Sequence, residues 1–350
     1  MDTKDLIKQA LCCIIEAAEG NEKIKDKQGI IESLKNIRFL ANKIRTNPSQ
    51  LTKVGVFGTQ KRGKSTLINQ LLGCDLMPVA APPMSSVIIE VEHNEFCVSN
   101  KFKLSIFRNN GFSERHEINS LENARKMLKE FGSRKGNLSS EIETIKVESN
   151  FSNSTFFKNV SSGVILVDTP GAENAFDESN NSSNSEEAKL AIKALQSMHI
   201  VIFVERADYS EGKNSYELFS REIKPMRPLT VLNFKDKFEA SCVDDKLPDE
   251  LLEVRRQSEM KQIMLQNYGI NLDRIVCISC KEAAKAKENK DDELLKSSNL
   301  PELEERLCKD LENLDEVSGA STCLDELKGV LQQIEKLFED PRKNSTKAIF

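Results

Sequence analysis

The chain is poor in the residues that build metal and redox centres. It carries only three histidines, His93, His116 and His199, and its nine cysteines contain a single C-x-x-C spacing, Cys277 with Cys280. With no second such pair and few histidines, a zinc site has little support. Cys277 lies in the apolar run IVCIS, which reads as a buried strand of a reduced protein rather than a redox centre. The N-terminus, MDTKDL, lacks a cationic stretch followed by an apolar one, so no signal peptide is read, and no apolar run approaches the roughly 18 to 20 residues of a spanning helix. The expected location is cytoplasmic. Positive charge is not in surplus either: 50 Lys and Arg face 55 Asp and Glu, giving a net charge of -5. That balance argues against a nucleic-acid or anionic-membrane surface formed by the chain as a whole. Internal repeats and sustained heptads are also missing.

What is present is a core and an alternating pattern. Hydrophobic residues make up 39% of 350 positions, enough for one large α/β domain and a smaller helical companion. Apolar residues recur at helical spacing over residues 2–18 (Leu6, Ile7, Leu11, Ile14, Ile15) and 28–45 (Ile30, Ile31, Leu34, Ile37, Leu40, Ile44). Pro48 ends that pattern. Strands are expected at 54–57, 86–93, 103–107, 143–149, 164–168, 199–205, 229–234 and 274–279. Helices are expected at 65–72, 120–132, 187–197, 216–224 and 249–268. Such alternation predicts a mainly parallel sheet covered by helices on both faces, with ligands beyond the carboxyl ends of the strands. Residues 176–187, rich in Ser and Asn, read as a loop. Two more amphipathic stretches, 303–314 and 324–338, are natural partners for the N-terminal helices. The expected organisation is 1–49 and 301–340 as a helical bundle, 50–300 as the α/β domain, and 341–350 as a frayed tail.

The stretch KVGVFGTQKRGKSTLINQLLG, residues 53–73, carries the chemistry. It satisfies G-x-x-x-x-G-K-[ST] with Gly58, Gly63, Lys64 and Ser65, after a β-branched strand and before an amphipathic helix, the context the motif needs. An anionic triphosphate must be met by several backbone N–H groups at once, which a tight loop feeding a helix N-terminus aims inward. The cradle comprises Gly58, Thr59, Gln60, Lys61, Arg62, Gly63, Lys64, Ser65 and Thr66. Lys64 is expected on the β and γ oxygens and Ser65 on Mg²⁺. A nucleoside triphosphate with Mg²⁺ is the implied ligand.

Three later stretches resemble the remaining motifs of GTPases. Asp168-Thr-Pro-Gly171 is similar to DxxG, where the aspartate serves Mg²⁺ and the glycine N–H senses the γ-phosphate. Asn233-Phe-Lys235-Asp236 resembles NKxD, with Phe234 in the lysine's place; Asp236 would accept from guanine N1 and N2. Ser279, Cys280 and Lys281 resemble SAK, whose backbone N–H meets guanine O6. Gly58 and Asp168 stand 110 residues apart, as in the enlarged G domains of the dynamin superfamily. GKSTLINQLLG with its Leu-Met-Pro turn and Pro-rich loop looks like the bacterial dynamin-like proteins. The resemblance implies a P-loop GTPase G domain with flanking helices, whose hydrolysis is stimulated when two G domains form a homodimer. Only 69 residues follow Lys281, so the long stalk of that family has no counterpart in them. The readings this leaves are a fragment, a reduced relative of the mechanochemical GTPases, or a partner of a stalk-bearing or membrane-associated protein through which it would reach a membrane.

The resemblance also suggests catalytic groups. Ala172 stands where Ras-like enzymes carry the water-positioning glutamine. Gln60 stands where dynamins carry one, and Lys61 where relatives place a cation in cis; a bound monovalent cation is the other source of that charge. Ser85 matches the threonine that holds Mg²⁺ and the catalytic water, so the implied metal ligands are Ser65, Ser85 and Asp168. The competing readings are a slow GTP-dependent switch that binds a protein partner and, resting on Phe234 alone, an ATP-using protein. Lys61 and Arg62 as solvated loop charges is the plain alternative to their ligand roles.

Overall fold

The structure, a computed structural model, describes residues 3–25, 27, 29–31, 33–35, 37, 51–58, 61–79, 87–132, 142–160, 163–169, 194–195, 197–206, 223, 228–237, 249–315 and 327–334. The chain divides into two compact units, one of Met1–Pro48 with Asn313–Phe350 and one of Ser49–Glu312.

The smaller unit holds α1 (Thr3–Glu19) and α2 (Glu22–Lys25), and residues 29–31, 33–35, 37 and 327–334 are also helical. Their apolar stripes meet in one core that joins Leu11, Ile15, Ile24, Leu34 and Ile37 to Leu327 and Val330, so the two ends of the chain depend on each other. Each aliphatic side chain buried there is worth about 1.5–3 kcal/mol. Deleting residues 1–45 is therefore expected to uncover Leu327 and Val330 and to cause aggregation, read by size-exclusion chromatography. A monomer that melts at the full chain's temperature would refute this dependence.

The larger unit is built on nine strands: β1 (Thr52–Phe57), β2 (Ile88–His93), β3 (Phe102–Arg108), β4 (Ser113–Ile118), β5 (Ile142–Ser149), β6 (Val164–Asp168), β7 (Ile200–Arg206), β8 (Leu229–Asn233) and β9 (Ile275–Cys277). They form one sheet in the order β4-β3-β5-β2-β6-β1-β7-β8-β9. From β6 to β9 every pairing is parallel. Strands β6 and β8 are buried at every position and β1 and β7 at all but one, which requires cover on both faces. The other half departs from this pattern: β2 runs antiparallel to β6, and β3 runs antiparallel to both β5 and β4. There burial alternates, as in β3, so one face meets solvent. β4 had no counterpart among the expected strands. Its sequence, SERHEI, buries only Ile118, and its charges protect a sheet edge instead of filling a core.

The helices that belong chiefly to this unit include α3 (Lys64–Leu72), α4 (Leu121–Gly132), α5 (Thr155–Asn159), α6 (Asp249–Tyr268), α7 (Cys280–Asn289), α8 (Asp292–Ser297) and α9 (Leu300–Asp315). The helix α3 is fastened at its C-terminal end, where Lys287 of α7 donates to Gln70 O at 2.7 Å and Ser154 donates to Leu71 O at 2.6 Å. Both satisfy carbonyls that a helix end leaves open, and the lysine also suits the negative end of the dipole. Asn69 clamps the chain beyond α3: its amide donates to Met77 O at 2.9 Å and its carbonyl accepts from Met77 N at 2.7 Å. Expected helices at 187–197 and 216–224, and the loop at 176–187, fall largely outside the described residues.

Candidate nucleotide site

The carboxyl ends of β1, β6, β7, β8 and β9 lie side by side, and the loops leaving them build the site. Gly58 follows β1, where a Cβ would stand 2.3 Å from Val204 O; only glycine lets the loop pass β7 so closely. Gly63 has φ 92°, and a Cβ on it would stand 2.2 Å from the Asn233 side-chain nitrogen. No side chain caps α3 at Gly63, and its first turn holds no acidic residue. That leaves a helix N-terminus suited to an anion.

Lys64, only 8% exposed, donates to Gly58 O at 2.8 Å. Ser65 donates from Oγ to Asp168 Oδ2 at 3.1 Å, bringing the phosphate loop and the DTPG stretch together. Thr169 donates to Val56 O at 3.0 Å and holds that stretch against β1. The Asp168 carboxyl is buried, and its Oδ1 has no hydrogen-bond partner among the described residues. Burial pushes this carboxyl up to about 6, against the opposing pull of Lys64 and of the Ser65 hydroxyl. A buried carboxyl oxygen with no partner among the described residues, beside a hydroxyl and an uncapped helix N-terminus, is a fitting donor set for a hard cation and an anion next to it. β2 begins on the same side: Ile89 pairs with Asp168, so the chain enters β2 next to the carboxyl.

At the other end Asn233 acts as a tie. Its Nδ2 donates to Arg62 O at 3.1 Å and its Oδ1 accepts from Cys280 N at 3.2 Å, joining the phosphate loop, β8 and the start of α7. Ser279 donates to Asp236 Oδ1 at 2.8 Å and accepts from Glu282 N at 3.1 Å, so one hydroxyl orients the carboxylate and caps α7. Asp236 itself is exposed, whereas Lys235 is 7% exposed, with its ammonium 3.8 Å from Glu282. Beyond α8, Ser298 O accepts from Ser279 N at 3.0 Å, which fixes the backbone of the SCK stretch. Cys280 is a buried free thiol, and burial pushes it up to about 12, so it stays protonated at neutral pH.

Arg62 is not the solvated loop charge that stands as the plain alternative to its place in the phosphate cradle. Its side chain is 2% exposed and its Nε lies 3.0 Å from Glu205 Oε1, on a carboxylate equally buried at the end of β7. Lys61 is exposed, with φ 58°. Ser65 and Thr66 are half-buried in the first turn of α3, and Lys281 is exposed. Thr59, Gln60, Ser85, Gly171 and Ala172 lie outside the described residues.

A sheet whose parallel half carries a phosphate loop after β1, an aspartate at the end of β6 and an N-F-K-D turn after β8 defines the G-domain class of P-loop proteins. The chain belongs to the Dynamin family, whose sequence model matches residues 54–234, more than half of its length. An uncharacterized protein in the xynA 3' region of Caldicellulosiruptor sp. (strain Rt8B.4) is 30% identical over 143 residues, 40% of this chain and 30% of that protein. A solved oligomerised bacterial dynamin pair, described as a mechanism for long-range sensing and tethering of membranes, shares the fold at 15% identity. The alignment covers all of this chain and 59% of that one, with a TM-score of 0.50. A second structure of the pair aligns at 17% identity over 100% of this chain and 58% of that one, TM-score 0.44. This chain therefore spans well under two thirds of these relatives. Among the described residues no helix is long and apolar enough to cross a membrane.

Proposed function

We propose that the protein binds GTP with Mg²⁺ and hydrolyses it to GDP and phosphate. The observation that carries this reading is the meeting of Lys64, Ser65 and the buried Asp168 carboxyl at the N-terminus of α3. Lys64 keeps its bond to Gly58 O and turns its remaining N–H donors to the β and γ oxygens, and backbone N–H groups from Gly58 to Thr66 surround the phosphates. Ser65 and Asp168 would hold Mg²⁺, with Ser85, which precedes β2 in the sequence, as the third ligand. When bound, the metal ion neutralises charge between the β and γ phosphates. Gly171 reports the γ-phosphate through its N–H. Asp236 accepts from guanine N1 and N2, Asn233 keeps the loops in register, and Lys235, Ser279, Cys280 and Lys281 complete the base end. Gln60 orients the attacking water and Lys61 faces the developing charge.

Membership of the Dynamin family supports a further step, that two copies pair through their G domains and that pairing accelerates turnover. A stalk-bearing or membrane-associated protein is the partner class that would bring the chain to a membrane, and no nucleic acid is required. The bundle proposed for 1–49 and 301–340 would carry motion out of the G domain. Turnover of GTP and ATP across a protein concentration series tests the whole reading: GTP is expected to be preferred, with a rate that rises more than linearly. Flat, slow turnover would favour a switch that orders around a partner instead.

Guanine selectivity has its own test. Asp236→Asn removes an acceptor and leaves a donor of the base unpaired, at a cost of about 1–3 kcal/mol, so GTP affinity should fall by about 5- to 150-fold. Competition among GTP, ATP and xanthosine triphosphate reads the change, with the xanthine nucleotide gaining on the variant. ATP competing as well as GTP on the unmutated protein would end the guanine assignment.

A further inference from the structure

β7 ends on Glu205 and Arg206, which belong to none of the motifs read in the sequence. Glu205 Oε1 receives Arg62 Nε at 3.0 Å and the Arg206 backbone N–H at 2.8 Å. One buried carboxylate thus fixes the phosphate loop and the Arg206 backbone to each other. From that anchor Arg206 lays its guanidinium carbon 4.9 Å from the centroid of the Phe234 ring. Phe234 stands where the guanine motif has lysine. Its φ of 66° lies in the left-handed region, which a bulky side chain seldom occupies. The ring reaches the phosphate loop as well: its Cε2 lies 3.8 Å from where a Cβ would stand on Gly63.

A lysine at this position offers two things, a flat apolar stem and a cation beyond it. Phe234 offers the flat apolar surface and no charge. Arginine is the cation best suited to supply the missing charge through a ring, because its planar guanidinium stacks and is weakly hydrated. We infer that Arg206 and Phe234 act together as a composite replacement for the motif lysine. The ring covers the guanine or ribose of the bound nucleotide on one side and takes the guanidinium on the other. Arg206 is thus a positioning residue acting through Phe234, and Glu205 is what aims it. This assignment rests on the guanine-nucleotide reading and adds to it a second contributor to nucleoside recognition.

The test is a double-mutant cycle on the full chain, titrated with a fluorescent GTP analogue and Mg²⁺ and followed by thermal melting. Arg206→Ala is expected to weaken binding by about 3- to 30-fold. Phe234→Lys restores the motif's own cation, so in that background Arg206→Ala should change affinity by no more than about twofold. If Arg206→Ala destabilises the fold, Arg206→Gln keeps the first methylenes and a polar head without the charge and should give the same pattern. An equal loss of affinity in both backgrounds, or no loss in either, would overturn the inference while leaving GTP binding by the wild type intact. A wild type that does not bind the analogue, or binds its ATP counterpart equally, overturns the guanine reading and the pair with it.

Discussion

Lys64→Ala is expected to remove GTP binding at any accessible concentration. Its ammonium is buried and already held by Gly58 O, so the charge is positioned before a ligand arrives and little ordering remains to be done on binding. Each hydrogen bond from such a charge to a phosphate oxygen is worth about 1.5–3 kcal/mol, and two of them correspond to a loss of about 10²- to 10⁴-fold. A second effect adds to the first. Lys64 opposes the burial that raises the Asp168 carboxyl, so the metal end weakens when the cation is lost. Ser65→Asn separates the two contributions: it keeps Lys64 and removes a hydroxyl bonded to Asp168, and should weaken triphosphate binding chiefly when Mg²⁺ is present. Titration of a fluorescent GTP analogue with and without Mg²⁺ reads both variants. Wild-type affinity in Lys64→Ala would sink the phosphate-loop assignment.

The parts of this molecule that were legible in the sequence are those whose signal is local. The strand, loop and helix around Gly58 and Gly63 could be read because two glycines, a lysine and flanking apolar periods stand within 21 residues. Residues 249–268 were likewise expected as a helix, and that is the observed extent of α6. Features made by distant residues were not legible. Arg62 reads as a loop charge until Glu205, 143 positions later, is seen beside it, and nothing local distinguishes the two. Asn233 reads as a nucleotide contact, and nothing local shows that its side chain also bonds Arg62 O and Cys280 N. The Cys280 amide, one of the backbone N–H groups of the SCK stretch, therefore has a partner inside the protein. One missed signal was available: Ser279 and Glu282 have the S-x-x-E spacing of a helix start, and α7 begins there. α5 spans five residues, too few for a period to emerge, and its cap, Ser154, is recognisable only with the structure in hand.

Gln60→Ala should slow hydrolysis by about 10²- to 10³-fold with little change in GTP affinity, the pattern of a group whose interaction strengthens only in the transition state. The reasoning starts from Ala172, which follows DTPG and has no side chain able to orient water. Lys61, next in the loop, is exposed at φ 58°, while its neighbour Arg62 is committed to Glu205 and cannot serve as a free cation. That leaves Lys61 as the basic side chain of the loop, besides Lys64, with its charge available to a ligand. Lys61→Ala is therefore expected to slow single-turnover hydrolysis by a comparable factor and to weaken the GDP–fluoroaluminate complex more than GDP alone. Both measurements use excess protein over nucleotide, so that any effect on pairing of G domains is held constant. If Lys61→Ala matches wild type in both, the charge comes from a bound monovalent cation, and the rate will depend on whether potassium or sodium is present. If Gln60→Ala matches wild type, water is oriented by a group outside the phosphate loop, and Ser85 becomes the first residue to replace.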